Sequence, residues 1–182
     1  KEIVIPHSIT KIGKYAFKNC TSLITVLIHK NVKTIDVGSF NGCISLKRIK
    51  IPSSVQMIGS FAFSNCKSLE KIIIPSSVNE IQGCAFEECS SLNEVHFIEN
   101  YSISVIKGNT FAVCSSLVKI NIPDSVKLIE SNAFVGCKSL IEILFPSSLQ
   151  KIGGSAFFHC SSLKKVYFES NSSLKSIGSF AF

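Results

Sequence analysis

The chain has 182 residues, 46% of them hydrophobic and 17% charged, and carries a net charge of +7 from 19 basic and 12 acidic side chains. That apolar content is enough for a continuous core, and no apolar run approaches the roughly 18 residues of a membrane span. The basic residues are spread along the chain with no stripe of interleaved stacking aromatics, so they speak for solubility and against nucleic-acid binding.

The first element, Glu2 to Ile5, alternates outward and inward residues and is closed by Pro6, which has no backbone donor to continue a ladder. Ile9, Ile12, Ala16, Phe17 and Cys20 complete the first unit, and the chain then repeats itself. Cys20, Cys43, Cys66 and Cys89 lie 23 residues apart, Cys114 follows after 25, and Cys137 and Cys160 return to 23. Fixed spacing in this range is the signature of a solenoid.

Counting from each of these cysteines, the third residue is always leucine (Leu23, Leu46, Leu69, Leu92, Leu117, Leu140, Leu163). The sixth and eighth are β-branched or aromatic, as in Val26 and Ile28 or Ile143 and Phe145, which predicts one short half-buried strand per unit. Pro52, Pro75, Pro123 and Pro146 close four of these strands, while His29, Ile98 and Glu169 stand in that place elsewhere. Toward the next cysteine come a β-branched residue or leucine, an isoleucine, a small residue and an invariable phenylalanine (Phe17, Phe40, Phe63, Phe86, Phe111, Phe134, Phe157). The string xxAFxxC reads as a short helical or 3-10 turn, with the rings stacked from coil to coil and the small column leaving room for the neighbour. A single coil cannot cover its two flat sides, so stability must be shared between adjacent copies. The predicted architecture is therefore a right-handed coil stack, one solenoid over residues 1–182 with about eight coils. The register starts and stops inside a unit, which predicts truncation at both ends and uncapped coils able to self-associate.

The unit C-x-S-L-x-x-I-x-I-P-x-S-V-x-x-I-x-x-x-A-F resembles the BspA-like class of leucine-rich repeat, and the resemblance covers essentially the whole chain. It departs from commoner leucine-rich repeats in lacking an asparagine after the strand. The resemblance implies a non-enzymatic adhesion or protein-interaction module at the cell surface or secreted, binding a protein or glycan on a host or neighbouring cell. Family likeness does not settle the ligand.

Strand alternation places the fifth and seventh residues after each cysteine outside the core. The fifth column reads Glu2, Thr25, Arg48, Lys71, Glu94, Lys119, Glu142 and Lys165, and its alternating signs predict charge pairing between strands. The seventh reads Val4, Leu27, Lys50, Ile73, His96, Asn121, Leu144 and Tyr167. The predicted partner-binding set on this face is Leu27, Arg48, Lys50, Lys71, Ile73, His96, Asn121, Leu144 and Tyr167. Scattered apolar groups are also ordinary on any exposed sheet, so the same columns fit a spacer that projects another domain and has no ligand of its own.

Other chemistry finds little support. Seven cysteines in one column read as a file of buried structural thiols, since no C-x-x-C pair occurs and an odd set cannot pair completely. Cys84 stands outside that series. Ser22 and its equivalents, two residues after each cysteine, fall where a hydroxyl can satisfy a turn. His7 and His29 fall near one another at strand ends with no third ligand in their row, which reads as solvated turn histidines. No catalytic, metal or cofactor residues are assigned. Asn100 and Asn171 sit in N-x-S triplets within the two lengthened loops, candidate glycan acceptors in a secreted protein.

Overall fold

The computed structural model describes residues 1–98 and 102–182. Each coil contributes two strands: β1 (Glu2–Val4) and β2 (Lys11–Ile12), β3 (Thr25–Leu27) and β4 (Thr34–Ile35), β5 (Arg48–Lys50) and β6 (Met57–Ile58), β7 (Lys71–Ile74) and β8 (Glu80–Ile81), β9 (Glu94–Phe97) and β10 (Val105–Ile106), β11 (Lys119–Ile120) and β12 (Leu128–Ile129), β13 (Glu142–Phe145) and β14 (Lys151–Ile152), β15 (Lys165–Phe168) and β16 (Ser176–Ile177). The chain is a parallel β-solenoid. Odd-numbered strands stack as a front file, joined as β1-β3-β5, β7-β9-β11 and β13-β15, and even-numbered strands stack as a back file, β2-β4-β6-β8 and β10-β12-β14-β16.

Register follows the repeat. Val26 pairs with Ile3 and Ile49, and Ile35 with Ile12 and Ile58, so identical positions lie over one another. The inward residues of both files are buried along nearly the whole stack, among them Val26 and Ile72 of the front file and Ile35 and Ile58 of the back file, at 1% exposure or less. The back file is a correction to the sequence reading. Its strands hold one outward residue and one inward isoleucine, too short for a period of two to show in the sequence.

The xxAFxxC segment is also not helical. Tyr15 and Asn19 have φ of 56° and 58°, and the equivalent pair recurs as Phe61 and Asn65, Cys84 and Glu88, Asn109 and Val113. A left-handed residue at every fourth position is incompatible with a continuous right-handed helix. Overlapping β-turns form instead. Ala16 N–H donates to the Gly13 carbonyl, Lys18 to Tyr15 and Cys20 to Phe17, while the intervening amides of Tyr15, Phe17 and Asn19 donate to Val37, Ser39 and Asn41 in the next coil at 2.7–2.9 Å. Helical bonding would consume those amides. Turning them outward lets every second residue of the edge join neighbouring coils, which satisfies the buried backbone.

Two side-chain files reinforce this edge. The phenylalanine rings stack with centroids 5.0–5.5 Å apart and planes within 13° from Phe17 through Phe157, and Phe182 continues the file at 5.4 Å. Beside them Cys43, Cys66, Cys89, Cys114, Cys137 and Cys160 each donate a thiol to the phenylalanine carbonyl of the preceding coil, as from Cys89 to Phe63 at 3.1 Å and from Cys114 to Phe86 at 3.2 Å. All eight cysteines are free thiols. On the opposite side the second serine of the PSS string does the equivalent: Ser54, Ser77 and Ser148 donate to Val32, Val55 and Val126 at 2.7 Å, and Ser125 to Ile103. That serine column bridges the coils. Among the described residues, the hydroxyls of Ser22 and its equivalents make no such bond, correcting the role expected for them.

The coil lengthened by two residues interrupts one file only. Among the described residues β8 and β10 do not pair, yet β7, β9 and β11 remain joined and the edge continues through Cys84 to Gly108 and Phe86 to Thr110.

Candidate functional site: the outer face of the front sheet

The alternation of the front strands sends the fifth and seventh columns outward. Leu27, Ile73, Leu144 and Tyr167 are 47%, 43%, 50% and 47% exposed, a high fraction for large apolar groups on ordered strands. Ladder register sets their neighbours: Leu27 lies beside Lys50, Ile73 beside His96, and Leu144 beside Tyr167. Arg48 and Lys71 occupy one column on successive rungs. The structure thus brings the predicted residues onto a single face, as three kinds of neighbour pair: apolar with cationic, apolar with imidazole, and apolar with aromatic.

Among the described residues the expected charge pairing forms once. Lys71 Nζ lies 2.8 Å from Glu94 Oε1, both side chains about half exposed. Glu94 with Lys119 and Glu142 with Lys165 are register partners, but among the described residues neither pair closes to an ion pair, since long exposed side chains gain little from being held together in water.

A depression breaks the flatness of the face. A hollow of about 440 Å³ opens between β9 and β11, lined by Glu94, His96, Val118, Lys119 and Asn121. The two strands pair only at Glu94 with Lys119 and Val95 with Ile120, so His96 and Asn121 lie beyond the ladder. The hollow falls on the strand leading into the lengthened coil.

Sequence reasoning missed the fourth column. Ile24, Val118 and Ile141 are 46%, 43% and 44% exposed, and Val118 lines the hollow. Their signal was an apolar residue directly after the inward leucine, ahead of the strand, where the strand's period of two does not apply. Of the two candidate glycan acceptors, Asn171 is exposed in a turn with φ of 62°, and Asn100 lies outside the described residues.

Two thiols and a buried carboxylate away from this face depart from their ordinary titration. Burial pushes the Cys43 thiol up to about 11, and burial with the adjacent Glu87 carboxylate does the same for Cys84. Such thiols are poor nucleophiles at neutral pH. Cys84 occupies the left-handed position of its turn edge, equivalent to Tyr15 and Phe61. Asp36 is buried on the back file, where Lys11 at 2.8 Å and the Val37 amide hold its carboxyl below the usual range. Among the described residues no group of three or more histidine, cysteine, aspartate or glutamate side chains gathers to hold a metal.

The model of the BspA type leucine rich repeat region, in six copies, matches residues 1–104 and 98–182. The chain belongs to that family. No curated protein matches the BspA-type chain in sequence. Among solved structures, a leucine-rich repeat protein from Bacteroides ovatus is similar at 29% identity and TM-score 0.75, over 97% of this chain and 60% of that one. A leucine rich cell surface protein from Faecalibacterium prausnitzii matches at 25% identity and TM-score 0.64, over 93% of this chain and 60% of its own. The T. pallidum leucine rich repeat protein gives 26% and 0.64, over 97% and 72%. The BspA-type chain thus spans about 60% of the first two relatives. Fold and family fit a protein-interaction repeat module, and among the described residues no helix is long and apolar enough to cross a membrane.

Proposed function

We propose that this chain is a non-enzymatic adhesion module, displayed at the cell surface or secreted, that binds a protein or glycan of a host or neighbouring cell through the outer face of its front sheet. The observation that carries this reading is the set of exposed apolar side chains in the seventh column, paired with cationic and imidazole neighbours and joined by the hollow at His96 and Asn121. Exposed apolar groups with a polar rim are what a recognition surface needs, because the apolar centre supplies affinity and the rim supplies register. The relative from Faecalibacterium prausnitzii is named a cell surface protein, which supports the location.

The basic members Arg48, Lys50 and Lys71 favour a partner with acidic groups, and their contribution is screened by salt. Asn171 is the exposed candidate for glycan attachment if the protein passes through a eukaryotic secretory route.

The test uses the folded chain, immobilised and exposed to extracts of host-cell surface protein and glycan. Saturable capture that falls at least tenfold in Ile73→Lys/Tyr167→Lys, with an unchanged far-ultraviolet spectrum, is the expected result. Capture indifferent to those changes removes this face from the reading. Absence of any saturable capture leaves a spacer that projects a neighbouring domain.

A further inference from the structure

A second feature lies away from that face, where the first two coils end their front strands. His7 follows Pro6, and His29 takes the place that Pro6, Pro52 and Pro75 occupy in other coils. The two imidazole rings meet with centroids 3.1 Å apart and planes tilted by 38°. The turn beneath them is fixed, since Asn31 Nδ2 donates to the His7 carbonyl at 2.7 Å. Among the described residues neither ring has a hydrogen-bond partner in the protein. A neutral imidazole carries one lone-pair nitrogen, so the pair offers two donors at one spot, on two backbones held in register.

We infer that His7 and His29 form a two-imidazole site for a borderline divalent transition metal such as Ni²⁺, Cu²⁺ or Zn²⁺, with water in the remaining positions. Metal–nitrogen distances of about 2.0–2.1 Å in a tetrahedral arrangement separate two ligating nitrogens by about 3.3–3.4 Å. His7 and His29 end neighbouring paired strands and their rings meet, so rotation about the side-chain bonds can set one nitrogen of each at that separation. Imidazole donors suit these metals and do not suit calcium or magnesium.

Two protein ligands and a nearby Lys30 make a site of modest affinity, with open positions able to accept a further donor from a partner. The bound ion would tie the first coil to the second.

The probe is NiCl₂ alone, titrated calorimetrically into the complete 182-residue chain, kept reduced with a non-chelating phosphine at pH 7.5. The expected result is one ion per chain, with affinity reduced at least tenfold by either His7→Gln or His29→Gln. His96→Gln/His159→Gln serves as the control and leaves the affinity unchanged. All four side chains sit outside the buried core, so the variants fold, which thermal melts without metal verify. Binding that survives His29→Gln, binding lost in the control, or no heat up to millimolar Ni²⁺ each overturn the assignment.

Discussion

At the turn edge, seven successive phenylalanine pairs stack 5.0–5.5 Å apart with nearly parallel planes. On the front face, the equivalent positions of the same coils run Val4, Leu27, Lys50, Ile73, His96, Asn121, Leu144 and Tyr167. One file is uniform and buried, the other varied and exposed, although both are carried by the same backbone repeat. The edge must accept a neighbour on both sides of every coil, so any change of size is felt twice. The face meets water on one side, where a side chain is free to change without disturbing the stack. Stability and recognition therefore occupy different columns of one repeat, and substitutions should separate them.

The largest effect is expected from alkali, because it acts on several buried thiols of the file at once. An ordinary cysteine loses its proton near pH 9, whereas burial holds Cys43 protonated up to about 11 and keeps Cys66, Cys89 and Cys114 well above the ordinary value. These four native thiols thus bind protons more tightly than the unfolded chain does. Their contribution is complete below pH 9 and declines from there to 11, by at most about 1.4 kcal/mol per thiol for each pH unit. Urea midpoints at pH 8 and pH 10 measure it. Cys66→Ser/Cys89→Ser, whose hydroxyls do not ionise in this range, should lose less on going to pH 10, and equal losses would show that the thiols are not the cause.

Next comes a single gap in the ring file. Phe86 stacks on Phe63 and Phe111 at 5.3 and 5.5 Å and is fully buried. Phe86→Ala removes contacts on both sides and should destabilise by about 3–5 kcal/mol in urea denaturation. Ile73→Ala, on the face, should move the midpoint by less than about 1 kcal/mol. Comparable losses from both would abolish the distinction between edge and face.

Much of this division was legible in the sequence, and the misses have identifiable causes. Columns of Leu, Ile, Phe and Cys at one spacing fix which residues touch which, because each coil must repeat its predecessor's contacts. The turn edge was misread because Ala-Phe is compatible with a helix, and the contrary signal sat in its flanks. Asn19, Gly38, Gly42, Asn65, Asn109, Asn132 and Gly136 supply residue types that tolerate positive φ, but Tyr15, Phe61, Glu88 and Val113 adopt it too and blur the pattern. Of the face, alternation revealed which side chains point outward. It could not reveal the hollow at His96, which depends on where β11 stops pairing with β9. The closeness of His7 and His29 was visible as adjacency, whereas their ring separation depends on the turn that Asn31 fixes.

A smaller effect tests how closely the back file is stacked. An added Cβ at Gly153 would meet the Ser131 nitrogen at 2.5 Å and the Glu130 carbonyl carbon at 2.6 Å, both of them backbone atoms of the preceding coil. Neither can move without shifting a rung. Gly153→Ala should therefore cost about 1–3 kcal/mol through overpacking, read as a lower urea midpoint. A neutral result would mean that the back file gives way under strain, and that the front file and the turn edge alone maintain the register.

The smallest effect belongs to the front face and concerns its one closed ion pair. Lys71 and Glu94 lie directly across the ladder at 2.8 Å, both about half in water. A double-mutant cycle with Lys71→Ala and Glu94→Ala should give a coupling of about 0.2–1 kcal/mol, reduced in high salt. A coupling above that range would mean that the face also holds the coils together, and its charges would then not be free to vary for a partner. A coupling within it leaves Lys71 available to recognition: a ligand's acidic group can displace Glu94 at little energetic cost, so the resting pair holds the lysine extended over the sheet until a stronger acceptor arrives.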